Sequence, residues 1–205
     1  STSGSLVAMI PAGMFLLITI SLAVGVVKLA KKKTLVRDLY SIEMLSRTNV
    51  LCLDKTGTIT DGTMDVVEFK TFSKQRKSSI KNILSSVLFN QKSINATSNA
   101  LIKEFGKNDK VIARNVIEFS SERKHSVTEL EKGKIYFLGA TTFIKCKLTA
   151  EQKLFIEEAQ AKGLRVVALT ELKSEFKEDI TGEKSSVIAM IVLEEHIRKD
   201  AIETI

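Results

Sequence analysis

The first feature of the chain is an uncharged apolar stretch from Leu6 to Val27. Its 22 residues are long enough for one crossing of a lipid bilayer. A secretory signal peptide carries its bases before the apolar run, and a buried core helix is rarely apolar on all sides. Here the bases follow it, as Lys28, Lys31, Lys32, Lys33 and Arg37. The pattern predicts a transmembrane helix, with the residues after about 31 in the cytosol.

The rest of the chain changes between helical and strand-like spacing of apolar residues. Helices are predicted at 34–46, 78–89 and 96–105, and from a capping box at Thr149 and Gln152 to Gly163. Strands are predicted at 64–72, 111–119, 127–130, 135–138 and 164–169. This order of elements is typical of an α+β segment.

Two continuous apolar runs flank that segment, one from Val50 to Leu53 and one from Val187 to Leu193. Such runs are typical of strands buried on both faces of a parallel sheet. A charged stretch from Glu171 to Lys184 precedes the second run. We therefore predict an α/β fold, in which a sheet begun at Val50 is interrupted by an inserted domain and resumed near Val187.

Charge distribution and the spacing of cysteines and histidines argue against several classes of function. The net charge is +7, but five bases lie in the membrane flank and the others alternate with acids, so no nucleic-acid partner is predicted. Cys52 and Cys146 are far apart and are predicted to be reduced core residues. His125 and His196 lack partners at metal-ligand spacing, which argues against a zinc site.

Candidate chemistry begins at Asp54, directly after the first apolar run, where open α/β sheets place their ligand sites. Gly57 permits a tight turn, while Thr56 and Thr58 supply hydroxyl groups and amides for phosphate oxygens. The pattern indicates a carboxylate nucleophile beside a phosphate cradle. The structural alternative is an aspartate that closes a turn from strand to loop.

The string around this aspartate closely resembles the signature of the P-type ATPases, from which it differs at one conservative position. It reads Asp54-Lys55-Thr56-Gly57-Thr58-Ile59-Thr60. Further segments resemble motifs of the same family in the family's order, namely Pro11 to Met14, Phe119 to Lys124, Leu138-Gly139-Ala140, Gly163 to Val166 and Glu195 to Arg198. The matches span nearly the whole chain.

The resemblance implies a role for each matching residue. Asp54 would attack the terminal phosphate of ATP, and Asp54 together with the backbone carbonyl of Thr56 would hold Mg²⁺. Phosphate binding is implied for Lys55, Thr56, Gly57 and Thr58, and nucleotide binding for Phe119, Lys124, Gly139 and Arg165. Phe119 would stack on adenine.

The resemblance also implies a domain plan. It places a transmembrane helix and its basic flank at 1–33 and the first part of a haloacid-dehalogenase-like phosphorylation domain at 34–65. An inserted α+β nucleotide-binding domain would occupy 66–185, and 186–205 would return to the phosphorylation domain. That domain is expected to be incomplete, because the family's downstream Thr-Gly-Asp and Gly-Asp-Gly motifs are missing.

The implied protein is an internal fragment of a bacterial cation-transporting pump in the plasma membrane, inactive without the rest of its parent chain. Its partners would be ATP, a cation of unknown identity and the bilayer. Two alternatives stay open: a membrane-tethered phosphatase of the same superfamily, and a nucleotide-binding module without turnover. Thr56 favours the pump, because related phosphatases carry an aspartate there as acid and base.

Four departures from the family pattern bear on this interpretation. Relatives carry a glutamate at the position of Ala12, an acidic residue at that of Ser98 and a lysine at that of Leu138. Nucleotide contacts are therefore expected to be fewer or differently arranged. No Cys-Pro-Cys is present, which argues against a pump for soft metals.

Overall fold

The structure is a computed structural model that describes residues 12–143, 148–173, 175–176 and 185–204. These residues belong to two compact units, Ser1–Leu53 and Asp54–Ile205. Pro11 and Cys146 lie outside the described residues.

The first unit contains helix α1 (Ala12–Lys31) and helix α2 (Tyr40–Ser46). From Gly13 to Lys31, α1 has a mean hydropathy of 2.2 and is not buried by the rest of the chain, so its length and composition are enough to cross a membrane.

The predicted helix at 34–46 is shorter in the structure, because the chain turns between α1 and α2. Lys33 adopts a left-handed conformation with φ of 61°, and the amide of Thr34 donates to the carbonyl of Leu29 at 3.0 Å. This is the hydrogen bond of a Schellman motif, which ends a helix.

The apolar run from Val50 to Leu53 is not a strand in the structure, and the prediction of a buried parallel strand there is wrong. Val50 and Leu51 are each 70% exposed. A strand needs a neighbour that accepts and donates its backbone hydrogen bonds, and none of the described strands pairs with this run. Cys52 is exposed too, so the prediction that it is a core residue is also wrong.

The second unit is built on one antiparallel sheet of six strands in the order β1-β6-β5-β4-β3-β2. The strands are β1 (Thr60–Thr71), β2 (Asn115–Ile117), β3 (His125–Leu130), β4 (Lys134–Ala140), β5 (Arg165–Leu172) and β6 (Ser185–Ile197). The helices are α3 (Lys77–Asn90), α4 (Ala96–Phe105), α5 (Ala150–Ala161) and the short α6 (Ala201–Thr204). The chain thus combines helices and sheet as predicted.

Helices cover both faces of this sheet. On one face, Leu84 of α3 and Leu101 of α4 pack in a cluster with Leu169 and Ile191. On the other face, Phe155 of α5 packs in a cluster with strand residues such as Ala168 and Met190. Two capping boxes begin helices here, at Asn95 and Ser98 and, as the sequence predicted, at Thr149 and Gln152.

The second apolar run, Val187 to Leu193, lies in β6 and is buried throughout. β6 pairs antiparallel with both β5 and β1, so the prediction that this run resumes a parallel sheet is wrong. The run is continuously apolar because helices cover both faces of an antiparallel sheet at this point. Thr60 pairs with Ile197, so the chain enters and leaves the sheet at neighbouring positions.

Candidate functional site

The signature segment forms an exposed loop at the start of β1. Asp54 is exposed and extended, and Gly57 has φ of 79°, a conformation that favours glycine. The buried hydroxyl of Thr60 accepts from the amide of Gly57 at 3.2 Å and donates to the carbonyl of Lys55 at 3.3 Å. Thr60 therefore fixes the turn, while the Asp54 carboxylate stays open to solvent.

A cavity of about 330 Å³ lies on the sheet face that α3 and α4 cover. The four residues expected to bind nucleotide, Phe119, Lys124, Gly139 and Arg165, all line it. Apolar walls come from Leu101, Leu138 and Val167, and polar groups come from Gln91, Asn95, Thr97, Ser98 and Ser126. The cavity can hold a flat apolar group with polar edges.

Hydrogen bonds fasten the segment from Phe119 to Lys124 at the cavity. Just before it, Glu118 accepts from the amides of Lys92 and Ser93, each at 3.0 Å. At its end, Lys124 has φ of 58° and its amide donates to the carbonyl of Ser120 at 2.7 Å. A left-handed conformation is unfavourable for lysine and tends to occur at functional positions.

Glu195 connects the signature loop to the cavity. Its side chain is only 7% exposed, and its Oε1 atom lies 2.9 Å from Nη2 of Arg165. Its Oε2 atom accepts from the hydroxyl of Thr56 at 3.4 Å and lies 3.9 Å from Nζ of Lys55. One carboxylate thus contacts both the loop that follows Asp54 and an arginine of the cavity wall.

Comparison with known proteins identifies relatives of the chain by sequence. No family model matches the chain. A probable cation-transporting ATPase of Streptococcus pneumoniae is 34% identical over 208 residues, covering 100% of this chain and 26% of the relative. The calcium-transporting ATPase CtpE of Mycobacterium tuberculosis is 31% identical, covering 98% of this chain and 25% of the relative.

Two solved structures have the same fold. A zinc-transporting PIB-type ATPase superposes with a TM-score of 0.54 at 19% identity, covering 92% of this chain and 28% of that one. The catalytic domain of the CPx-ATPase CopB-B superposes with a TM-score of 0.54 at 18% identity, covering 87% of this chain and 57% of that one. The chain belongs to the P-type ATPase family. It spans about a quarter of the length of the curated relatives it matches.

Two departures from the P-type ATPase pattern have a structural role of their own. Ser98 is buried in the capping box of α4, where its hydroxyl accepts from the amide of Asn95 at 2.7 Å. Leu138 is 6% exposed and packs in the core beside the cavity. The sequence showed both substitutions but not these contacts.

The two histidines of this P-type ATPase segment are engaged outside the cavity. Nδ1 of His125 lies 2.7 Å from the carbonyl of Arg123, and Nε2 of His196 lies 2.9 Å from Oδ2 of Asp65. Hydrogen bonding to Lys103 holds the pKa of the Asp65 carboxyl below its usual range. Within the described residues, no cluster of three or more histidines, cysteines or acids could hold a metal.

Gly139 is required by the packing of β4 against β3, whatever ligand the cavity holds. It lies opposite His125, and a Cβ atom there would be 2.5 Å from Cβ of His125 and 2.8 Å from the carbonyl oxygen of Lys124. Both distances are shorter than non-bonded carbon contacts allow. The close approach of the two strands brings Lys124 to the edge of the cavity.

We expect Gly139→Ala to destabilise the protein by about 1–3 kcal/mol, because the added methyl group forces the two strands apart. Urea unfolding followed by circular dichroism measures the change. A loss below about 0.5 kcal/mol would show that the strands separate easily and that packing does not require the glycine.

Proposed function

We propose that the chain is the part of an ATP-driven cation transporter that binds ATP and accepts its terminal phosphate on Asp54. The observation that carries this proposal is the link through Glu195 between the signature loop and Arg165 of the cavity. The curated relatives are named as cation- and calcium-transporting ATPases, which supports transport of a cation.

In the proposed reaction, a carboxylate oxygen of Asp54 attacks the terminal phosphorus of ATP. A new bond forms between that oxygen and phosphorus, while the bond from phosphorus to the bridging oxygen breaks. ADP leaves with the electron pair, and Asp54 becomes an acyl phosphate. Lys55 offers a positive charge to the phosphate, and the loop amides of Thr56 and Thr58 offer hydrogen bonds. Gly57 shapes the turn, and its own amide donates to the hydroxyl of Thr60.

The donors at the loop fit Mg²⁺, which prefers oxygen ligands and is usually held by one or two carboxylates together with substrate phosphates. The exposed Asp54 carboxylate and the backbone carbonyl of Thr56 would hold the ion. Bound there, Mg²⁺ would neutralise part of the phosphate charge.

Thr56 supports a pump rather than a phosphatase. Threonine cannot act as the general base that aspartate provides at this position in related phosphatases. Its hydroxyl instead donates to Glu195 at 3.4 Å. We infer that the acyl phosphate lasts long enough to shift the protein between conformations, as coupling to transport requires.

The proposed domain plan places the transmembrane helix and its basic flank at 1–33, with the residues after about 31 in the cytosol, and begins the phosphorylation domain at residue 34. For the inserted nucleotide-binding domain we propose wider limits than 66–185. Thr60 and Ile197 pair at the open end of β1 and β6, and adjacent ends are typical of an inserted domain. The return to the phosphorylation domain would then follow Ile197.

Nucleotide binding by this chain tests the cavity assignment. We expect Phe119→Ala to weaken ATP binding about tenfold or more, because stacking of a base on an aromatic ring contributes about 1–3 kcal/mol. Calorimetric titration of the 205-residue chain in detergent measures the change.

Phe89→Ala is the matched control, since Phe89 is 38% exposed and does not line the cavity. This variant should bind ATP as the unchanged chain does. Equal weakening by both substitutions, or no weakening by Phe119→Ala, would place the nucleotide elsewhere.

A further inference from the structure

The side-chain oxygen atoms that line the cavity are nearly all committed to hydrogen bonds within the protein. The Ser98 hydroxyl donates to the carbonyl of Asn95 at 3.0 Å, and Oδ1 of Asn95 accepts from the amide of Ser98 at 2.9 Å. Oγ1 of Thr97 accepts from Arg165 at 3.3 Å. These oxygen atoms complete the capping box or hold the arginine.

Gln91 follows α3 and is 7% exposed, at a place where the cavity meets the sheet. Its Nε2 atom donates to the hydroxyl of Ser126 at 2.6 Å, and that hydroxyl donates to the carbonyl of Leu138 at 3.4 Å. Because the Ser126 proton is directed to Leu138, the amide of Gln91 turns its nitrogen to Ser126. This leaves Oε1 of Gln91 for another partner.

Among the described residues that line the cavity, Oε1 of Gln91 is the only side-chain oxygen without a hydrogen bond. Gln91 as a whole is 7% exposed, yet this oxygen is not sealed from solvent, so water or a ligand can donate a hydrogen bond to it through the cavity. A ligand that offers an N–H group at this place would complete it.

The cavity walls restrict which ligand can offer that group. Phe119, Leu101 and Val167 form apolar surfaces that suit a flat aromatic ring. Adenine carries an exocyclic amine, which donates, where guanine carries a carbonyl oxygen, which accepts. An acceptor on the protein therefore favours adenine and repels guanine.

We propose that Gln91 selects adenine over guanine by accepting a hydrogen bond from the exocyclic amine through Oε1. This inference rests on the proposed binding of nucleotide in the cavity. Base recognition then belongs to Gln91, which lies before α4. Ser98, inside α4, is held in the capping box instead.

The test compares three nucleotides on the 205-residue chain in detergent: ATP, GTP and purine riboside triphosphate, which lacks the amine. We expect ATP to bind about tenfold more tightly than the purine analogue, the order of one hydrogen bond, and GTP to bind more weakly than either. Gln91→Leu should bring ATP and the purine analogue within about twofold of each other, because the acceptor that distinguishes them is then removed.

Gln91→Glu is the conservative variant, and its carboxylate should keep the preference for ATP over the purine analogue. Equal affinities for these two nucleotides in the unchanged chain, or an unchanged ratio in Gln91→Leu, would overturn the inference and leave nucleotide binding intact. Failure of all three nucleotides to bind would overturn both the inference and the proposed function.

Discussion

A fragment of residues 60–184, which lacks β6, should not fold, whereas a fragment of residues 60–197 should. β6 lies between β1 and β5 and exchanges backbone hydrogen bonds with both. All side chains from Val187 to Leu193 are buried. Full burial of a large apolar side chain contributes about 1.5–3 kcal/mol, and a domain is stable by only about 5–15 kcal/mol. The free energy that burial of this strand contributes therefore exceeds the total stability of the domain.

Thermal unfolding followed by circular dichroism distinguishes the two fragments. The longer fragment should show one cooperative transition, and the shorter fragment should show none. Cooperative unfolding of the shorter fragment would mean that β6 is dispensable and that the sheet closes without it. We expect the same failure to fold from a fragment of residues 66–185, which begins inside β1 and keeps only the first residue of β6.

Local signals explain which elements the sequence could predict. The helix predicted at 96–105 matches α4 from Ala96 to Phe105, and the helix at 78–89 matches α3 to within one residue at each end. The capping box at Thr149 is present as well. In each case the apolar spacing and the terminal residues lie within a few positions of one another.

Strand pairing could not be predicted in the same way, because it depends on residues far apart in the chain. A continuous apolar run indicates coverage on both faces, but that coverage occurs in antiparallel as well as parallel sheets. The run from Val187 to Leu193 therefore gave no sign that it pairs with β1, more than a hundred residues earlier. Burial of the run was predicted correctly, and its direction was not.

The same distinction between local signals and contacts of distant residues applies to the candidate site. The signature string gave Asp54, and the family motifs gave residues that the structure brings to one cavity. Glu195 lay in a recognised segment but received no role, since its contact with Arg165 joins residues 30 positions apart. Gln91 was missed because its partner Ser126 is 35 positions away.

Substitution of Asp54 should have the second large effect, a loss of phosphate transfer. In the complete protein that contains this chain, Asp54→Asn should abolish transfer of phosphate from ATP, because an amide oxygen is a poor nucleophile and its product would not be a stable acyl phosphate. The substitution keeps the size of the side chain, and Asp54 is exposed, so folding should not change. Asp61→Asn is a matched control, since Asp61 is also exposed but lies beyond the loop in β1.

Acid quenching after brief incubation with radiolabelled ATP and Mg²⁺ measures this transfer directly. We expect an acid-stable, hydroxylamine-sensitive label on the unchanged protein and on Asp61→Asn, and only background label on Asp54→Asn. Undiminished labelling of Asp54→Asn would contradict the assignment of Asp54 as the phosphate acceptor.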